Sequence, residues 1–107
     1  MTLPPPIQTY FSARSPEDAE AFAAAFAPEA VVRDEGAIRQ GPEEISAWWR
    51  AAKARYRHTS TPLDLHEAAG KTLVRARVSG DFPGSPLVLT FRFALDGDRI
   101  SELEITA

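Results

Sequence analysis

An acidic side chain on a short and otherwise apolar strand is the clearest candidate for chemistry in this chain. Asp34 ends the segment Ala30-Val31-Val32-Arg33-Asp34, and Gly36 follows shortly after it. Because side chains alternate across a strand, Asp34 points the same way as Val32 and away from Arg33. If Val32 faces the core, the carboxyl group is desolvated, its pKa rises, and it can exchange protons near neutral pH. The alternative is an acid that bends into water at the Gly36 turn.

The two histidines are further candidates for proton transfer. His58 falls where a helix passes into a strand, so it is either a proton shuttle at a cavity mouth or a helix-end histidine favoured by the helix dipole. His66 shares a face with Asp64, and we expect it to be exposed. Their spacing does not form a metal-binding motif, and the chain has no cysteine. We therefore expect neither a metal nor another cofactor.

The size and charge of the chain narrow its class and its partners. The sequence has 107 residues with 44% hydrophobic and 25% charged residues, which fits a single domain over residues 1–107. Its net charge of −3 argues against nucleic acid or an anionic membrane as the main partner. No apolar run approaches membrane-spanning length, and the N-terminus lacks the features of a signal peptide. We expect a cytoplasmic location.

The first half of the chain predicts three helices. The first carries Ile7, Tyr10 and Phe11 on one face, and the second begins at Ser15 with an apolar stripe that continues through Phe26 until Pro28 stops it. A short strand contains Asp34, and a second small strand covers residues 37–39. The third helix opens at Gly41-Pro42, and its apolar positions are Ile45, Trp48, Trp49, Ala52 and Tyr56. Trp48 and Trp49 cannot both face the same way.

The second half predicts four strands joined by turns, over residues 58–68, 71–80, 86–95 and 99–106. Apolar and polar residues alternate along residues 86–95, which is typical of a half-buried antiparallel sheet. The last strand breaks strict alternation and predicts a bulge near Glu102. Helices followed by such a sheet give an α+β fold, with three N-terminal helices packed on a strongly curved antiparallel sheet as a cone-shaped barrel. Its outer face, with Arg75 and Arg77, is left for water or for a second subunit.

The order of these motifs resembles the nuclear transport factor 2-like (cystatin-like) superfamily, in its SnoaL-like or polyketide cyclase-like branch. The resemblance is carried by the segment from Phe26 to Asp34, by Gly41-Pro42-Glu43-Glu44-Ile45 with the tryptophans after it, and by Phe91-Arg92-Phe93 before the last turn. It covers nearly the whole chain. It implies a cone-shaped fold whose members include isomerases, cyclases, dehydratases, epoxide hydrolases and non-catalytic binding modules.

The resemblance to ketosteroid isomerases also implies roles for two residues. Asp34 matches the aspartate that acts as general base there, and Tyr10 matches the tyrosine that donates a hydrogen bond to the developing enolate oxygen. The second acid of those enzymes has no counterpart, because Leu89 or Thr90 takes its place. Epoxide hydrolase chemistry is disfavoured, because it needs an arginine in the pocket and alternation sends Arg33 to the other face.

We therefore expect an apolar pocket that binds a hydrophobic small molecule and transfers a proton next to a carbonyl group, as an isomerase, cyclase or dehydratase does. Asp34 and Tyr10 are the expected catalytic pair. The expected pocket lining is Phe22, Phe26, Val32, Trp48, His58, Leu89 and Phe91. A homodimer through the outer sheet face is also expected. The alternative is a non-catalytic binding or dimerisation module of the same fold.

Overall fold

The computed structural model describes all of residues 1–107, which form three helices and six strands. The helices are α1 (Pro5–Ser12), α2 (Ala19–Ala24) and α3 (Gly41–Tyr56), with a 3-10 turn (Pro16–Asp18) before α2. The strands are β1 (Phe26–Asp34), β2 (Ala37–Gln40), β3 (Thr59–Ala68), β4 (Lys71–Ser79), β5 (Leu87–Asp96) and β6 (Arg99–Thr106). None of the helices combines the length and the apolar character that crossing a membrane requires. The predicted α+β class is confirmed.

The six strands form one sheet in the order β2-β1-β6-β5-β4-β3. The pairs within β3 to β6 are antiparallel hairpins, whereas β1 runs parallel to β6, so the sheet is mixed rather than wholly antiparallel. A parallel pair needs a long connection, and the segment from β2 to β5 supplies it. The predicted irregularity in β6 is confirmed, because Ala94 pairs with Glu102 while Leu95 pairs with Ile100, which leaves Ser101 as the extra residue.

The second helix is shorter than predicted. The Asp18 carboxylate accepts the backbone N–H groups of Ser15 at 3.2 Å and Arg14 at 2.9 Å, in keeping with the predicted cap. The residues after Ser15 form the 3-10 turn, however, and α2 itself begins only at Ala19. The prediction that it runs on through Phe26 is wrong, because β1 already starts there. The backbone N–H of Ile100 donates to the Ala25 carbonyl oxygen at 2.8 Å, so strand pairing replaces the next helical turn.

Pro28 therefore lies inside β1 rather than at the end of a helix. It falls between the paired residues Phe26 and Val31, where the register of β1 against β6 shifts. A proline has no backbone N–H to give to a ladder, so it is tolerated at such an irregularity. Beyond it the strand is regular, and this regular stretch carries Asp34 into the sheet.

The helices cover one face of the sheet and form the core with it. Along β4, Val74, Ala76 and Val78 are buried, while Arg75 and Arg77 are exposed on the outer face, as alternation predicts. On α3 the buried positions are Ile45, Trp49 and Lys53, spaced four residues apart. The largest fully buried side chains are Phe22, Phe26, Phe93, Ile7, Ile45, Ile100, Leu103, Val32 and Val74.

Candidate functional site

A large cavity opens between α1, α3, the ends of β1 and β6, and the start of β3 with the loop after β4. Its volume is about 500 Å³, which is in the range of pockets that hold small organic ligands. Eleven of its seventeen lining residues are hydrophobic. The other six are Pro83 and the polar residues Asp34, Glu35, Arg55, His58 and Ser60, and two of the hydrophobic residues, Tyr10 and Tyr56, also carry a hydroxyl group. The chain thus encloses an apolar space with a small set of hydrogen-bonding and ionisable groups at its wall.

Asp34 is at the last position of β1, where Ala37 of β2 pairs on one side and Ile105 of β6 on the other. Its side chain lines the cavity and is half-buried, and it takes part in none of the salt bridges of the chain. Arg33 points to the opposite face and pairs with Glu102 at 3.2 Å. Alternation along β1 therefore separates the acid from the neighbouring arginine, as the sequence predicts.

The surroundings of Asp34 disfavour its charged form. Burial raises the pKa of the carboxyl group above its ordinary value of 3.8, and the charge of Glu35 adds to the rise. A polar contact with the Trp48 side chain, the charge of Arg39 and the backbone N–H of Glu35 oppose part of this effect. A carboxyl group with a raised pKa is a stronger base when it is ionised, and this is what proton abstraction from carbon requires.

Tyr10 lines the same cavity from α1. Its ring is 8% exposed and lies edge-on to Phe11 and Phe93, with ring centroids 5.0 and 5.5 Å away. Burial, and then the charge of Asp34, raise the pKa of its hydroxyl above the ordinary value of 10.0. The hydroxyl group therefore stays protonated at neutral pH, and it can donate a hydrogen bond to an oxygen atom inside the cavity.

His58 lies between α3 and β3 and also lines the cavity. Burial, followed by the charge of Lys53, lowers the pKa of its imidazole from 6.5 to about 4. At neutral pH the ring is therefore uncharged. A hydrogen bond from the ring to the Ala52 backbone opposes part of this fall in pKa. A neutral imidazole has one N–H donor and one lone-pair acceptor, so the acceptor remains for a polar group of a ligand and adds no charge to the cavity.

Four of the residues that the sequence suggests as pocket lining lie in the cavity wall, namely Trp48, His58, Leu89 and Phe91. The other three do not: Phe22, Phe26 and Val32 are at most 2% exposed and lie in the packed core. The Phe22 ring stacks on Trp49 with centroids 4.5 Å apart and contacts Phe26 at 5.2 Å. This aromatic cluster fills the space between α2 and α3, so the cavity does not extend to it.

Three further lining residues lie outside the set expected from the sequence. Trp49 lines the cavity together with Trp48, although Trp49 is 3% exposed and Trp48 only half-buried. Phe82, in the loop after β4, packs edge-on against Tyr56 with centroids 6.0 Å apart and contributes to the wall. Ser60 on β3 completes it. The inward position of Ser60 could have been predicted from alternation along β3. The position of Phe82 could not, because nothing in the sequence distinguishes a loop phenylalanine over a cavity from one in an ordinary turn.

Comparison with known proteins identifies the family of the chain. Residues 7–103 match the family model described as a SnoaL-like domain. The chain belongs to the SnoaL-like domain family. Among solved structures, it is 47% identical to a proposed polyketide cyclase from Sinorhizobium meliloti, with a TM-score of 0.91 over 97% of this chain and 95% of that one. No curated protein matches the sequence.

More distant structures share the SnoaL-like fold without sharing its sequence. A protein of ketosteroid isomerase-like fold from Catenulispora acidiphila, in complex with trimethylamine, is 20% identical, with a TM-score of 0.84 over 99% of this chain and 87% of that one. An epoxide hydrolase of Mycobacterium tuberculosis is 14% identical, with a TM-score of 0.77 over 94% and 77%. At these identities the likeness concerns the fold alone. One fold therefore hosts isomerase-like, cyclase-like and hydrolase members, and function has to be argued from the site.

Proposed function

We propose that this SnoaL-like protein is an enzyme without a cofactor that binds an apolar, carbonyl-bearing small molecule and transfers a proton next to the carbonyl. The observation that supports the proposal is the shared position of Asp34 and Tyr10 in the wall of one apolar cavity of about 500 Å³. A base with a raised pKa and a neutral hydroxyl donor, set in a largely apolar space, are the two groups that enolisation requires.

The reaction follows from these two groups. The Asp34 carboxylate takes the proton from the carbon next to the carbonyl, and the C–H electron pair moves into the new C=C bond while the carbonyl oxygen becomes an enolate. Tyr10 donates a hydrogen bond to that oxygen. If the protonated Asp34 returns the proton to another carbon, the product is an isomer. If the enolate carbon attacks a second carbonyl, a C–C bond forms, the new alkoxide takes the proton back from Asp34, and the outcome is cyclisation. If the enolate expels a β-hydroxyl group, the leaving oxygen takes that proton and departs as water, and the outcome is dehydration.

Leu89 limits which of these reactions is favoured. It lines the cavity at the place where the ketosteroid isomerase resemblance would put a second acid, and it supplies no hydrogen bond. Without an acid at this position, the oxyanion lacks the second donor of the ketosteroid isomerases, so substrates that enolise readily are favoured, such as compounds with two carbonyl groups flanking one carbon. A cyclase or dehydratase is therefore favoured over a steroid isomerase.

The test measures exchange of the acidic C–H proton of such a diketone into deuterated water by NMR. Asp34→Asn is compared with wild type and with Glu29→Gln, which removes the same charge from an exposed position of the same strand. We expect Asp34→Asn to slow exchange by about 10²–10⁴-fold, since this is the usual contribution of a general base. Glu29→Gln should exchange at the wild-type rate. Equal rates in all three proteins would contradict the assignment.

A ligand-binding module without catalysis is the second candidate, and the missing second acid favours it. The two candidates differ in one result. A catalyst exchanges the C–H proton of a bound ligand faster than water does, whereas a binding module takes up the same ligand and leaves the exchange rate unchanged. A thermal-shift screen of apolar carbonyl compounds finds the ligands, and the exchange assay then separates the candidates.

A homodimer through the outer sheet face and a cytoplasmic location are parts of the same proposal. The outer face combines ion pairs, such as Arg75 with Asp64 and Arg92 with Glu104, with an apolar side chain, Val88, that is 48% exposed. We expect a dimer at micromolar concentration in sedimentation experiments and a shift towards monomer in Val88→Lys. Wild-type protein that sediments only as a monomer would contradict the dimer.

A further inference from the structure

A second and much smaller pocket lies between the end of α1, the C-terminal half of α3 and the start of β3. Its volume is about 10 Å³, which corresponds to a single water-sized group. The polar part of its wall comes from Arg14, Lys53, His58, Thr59 and Ser60, and Tyr10 also lines it. No carboxylate lines the pocket, so it combines two cations with neutral hydrogen-bonding groups and has no negative charge.

Lys53 is an unusual residue for the inner face of a helix. It is 8% exposed, and its ammonium group donates one hydrogen bond to the His58 carbonyl oxygen at 2.7 Å. The same nitrogen lies 5.7 Å from the centre of the Trp49 ring. An ammonium group has three N–H donors, so two are left for another partner. Lys53 takes part in none of the salt bridges of the chain.

Arg14 adds a second positive charge at the same pocket. Its backbone N–H is bound by Asp18, but its guanidinium group forms no salt bridge. Burial, and then the charge of Arg14, lower the pKa of Lys53 below its ordinary value of 10.5. Two like charges therefore influence each other here, one on the buried Lys53 and one on the exposed Arg14. A buried charge without a counter-charge is costly, and an anion between the two would remove that cost.

We propose that this pocket is a binding site for a small monovalent anion, held by the Lys53 ammonium and the Arg14 guanidinium. The volume favours a halide ion or one carboxylate oxygen over a tetrahedral oxyanion. The anion therefore has two possible sources, a free ion such as chloride or formate, or the carboxylate end of an organic ligand. Neither Asp34 nor Glu35 lines this pocket.

The pocket shares Tyr10, Trp49, His58 and Ser60 with the large cavity. An anion beside Lys53 would offset the positive charge that helps to lower the pKa of His58. The other charged groups around this ring are Arg14 in the small pocket, and Asp34, Glu35 and Arg55 in the large cavity. Occupancy of the small pocket is therefore expected to raise the pKa of His58 from about 4, which gives a spectroscopic signal of binding.

The test follows the His58 ring signals by NMR while chloride or formate replaces gluconate, a bulky anion, at constant ionic strength. Wild type is compared with Arg14→Gln, with Lys53→Met and with Arg50→Gln, which removes an equal charge from an exposed position of α3. We expect saturable binding in wild type and in Arg50→Gln. In the other two variants the dissociation constant should rise roughly tenfold or more, as expected for loss of one charge-assisted hydrogen bond.

Two further arms identify the source of the anion. The first arm compares octanoate with formate and with octanamide. If octanoate binds at least tenfold more tightly than formate and its amide does not, the site binds the carboxylate of a cavity ligand. Octanoate that binds no better than formate would assign it to a free ion. Bromide diffraction should place the anomalous peak beside Lys53 and Arg14.

The proposal is overturned if wild type shows no saturable anion effect on His58, or if Arg14→Gln binds the anions as tightly as wild type. Arg14→Gln decides the matter even if Lys53→Met fails to fold, because the Arg14 side chain is exposed and its loss leaves the core intact. The result of the anion titration does not depend on the result of the proton-exchange assay, because Asp34 is unchanged in every variant used here.

Discussion

Acidification is expected to destabilise this protein through one histidine, His58. Burial and the charge of Lys53 lower the pKa of its imidazole from 6.5 to about 4 in the folded chain. In the unfolded chain the ring binds a proton near its ordinary pKa. Between the two values the unfolded chain holds more protons than the folded one. The free energy of unfolding therefore rises with pH in this window, and the contribution is lost as the pH falls from 6.5 towards 4.

The size of the effect follows from the same two values. A fall in the pKa of His58 from 6.5 to about 4 corresponds to about 3.4 kcal/mol, at about 1.36 kcal/mol for each pKa unit. The imidazole is only half-buried, so solvent screens part of the interaction with Lys53. We therefore expect about 2 kcal/mol of pH-dependent stability from this residue, which is a measurable part of the total for a chain of this size.

The assay is urea unfolding at pH 7 and at pH 4 for wild type, His58→Gln and His66→Gln. The second variant is the control, because His66 is the only other histidine and its side chain is exposed on β3. On acidification wild type and His66→Gln should lose about 2 kcal/mol more than His58→Gln does. Equal losses in all three proteins would show that His58 is accessible to protons in the folded chain and would refute the reasoning.

Three further predictions concern the cavity and its frame. Tyr10→Phe should slow the proposed exchange reaction by about 10²–10³-fold, as removal of an oxyanion donor does. Urea unfolding should change little, because the hydroxyl forms no hydrogen bond to the protein. An unchanged exchange rate would show that Tyr10 takes no part in the reaction. The exchange rate of wild type should rise with pH through the raised pKa of Asp34, since only the ionised carboxylate accepts a proton, and a rate that is constant down to pH 3.8 would contradict this. Gly80→Ala should destabilise the fold by about 1–3 kcal/mol, because the new Cβ would lie 2.7 Å from the Tyr56 carbonyl oxygen. If the variant unfolds at the same urea concentration as wild type, the backbone moves apart at this contact without cost and the prediction is wrong.

The sequence predicts the sheet well and one helix boundary poorly. Alternation along β4 identified Val74 and Ala76 as buried and Arg75 as exposed, since period two leaves no other choice for a half-buried strand. The end of α2 could not be found in the same way. Phe26 continues the helical spacing of Phe22, and only its pairing with Ile100, far along the chain, makes it a strand residue.

The chemical groups of the candidate site could be predicted from the sequence, but the shape and extent of the cavity could not. Alternation alone separated Asp34 from Arg33, and the fold resemblance suggested Tyr10. Whether an aromatic residue lines a void or fills it depends on packing between elements, and the sequence does not encode that locally. Phe22 fills the gap beside Trp49, whereas the cavity lies on the other side of this stack. The burial of Lys53 could not be predicted, because a lysine near the C-terminus of a helix is ordinarily exposed.

The central claim is that the carboxyl group of Asp34 is held in a desolvated cavity and works there as a base. The most direct measurement is the titration of its side-chain carbon by NMR, with Asp34→Asn used to assign the signal. The account predicts a pKa above 3.8, and a further change when an apolar carbonyl ligand fills the cavity. A pKa at or below 3.8 that does not respond to any cavity ligand would contradict it.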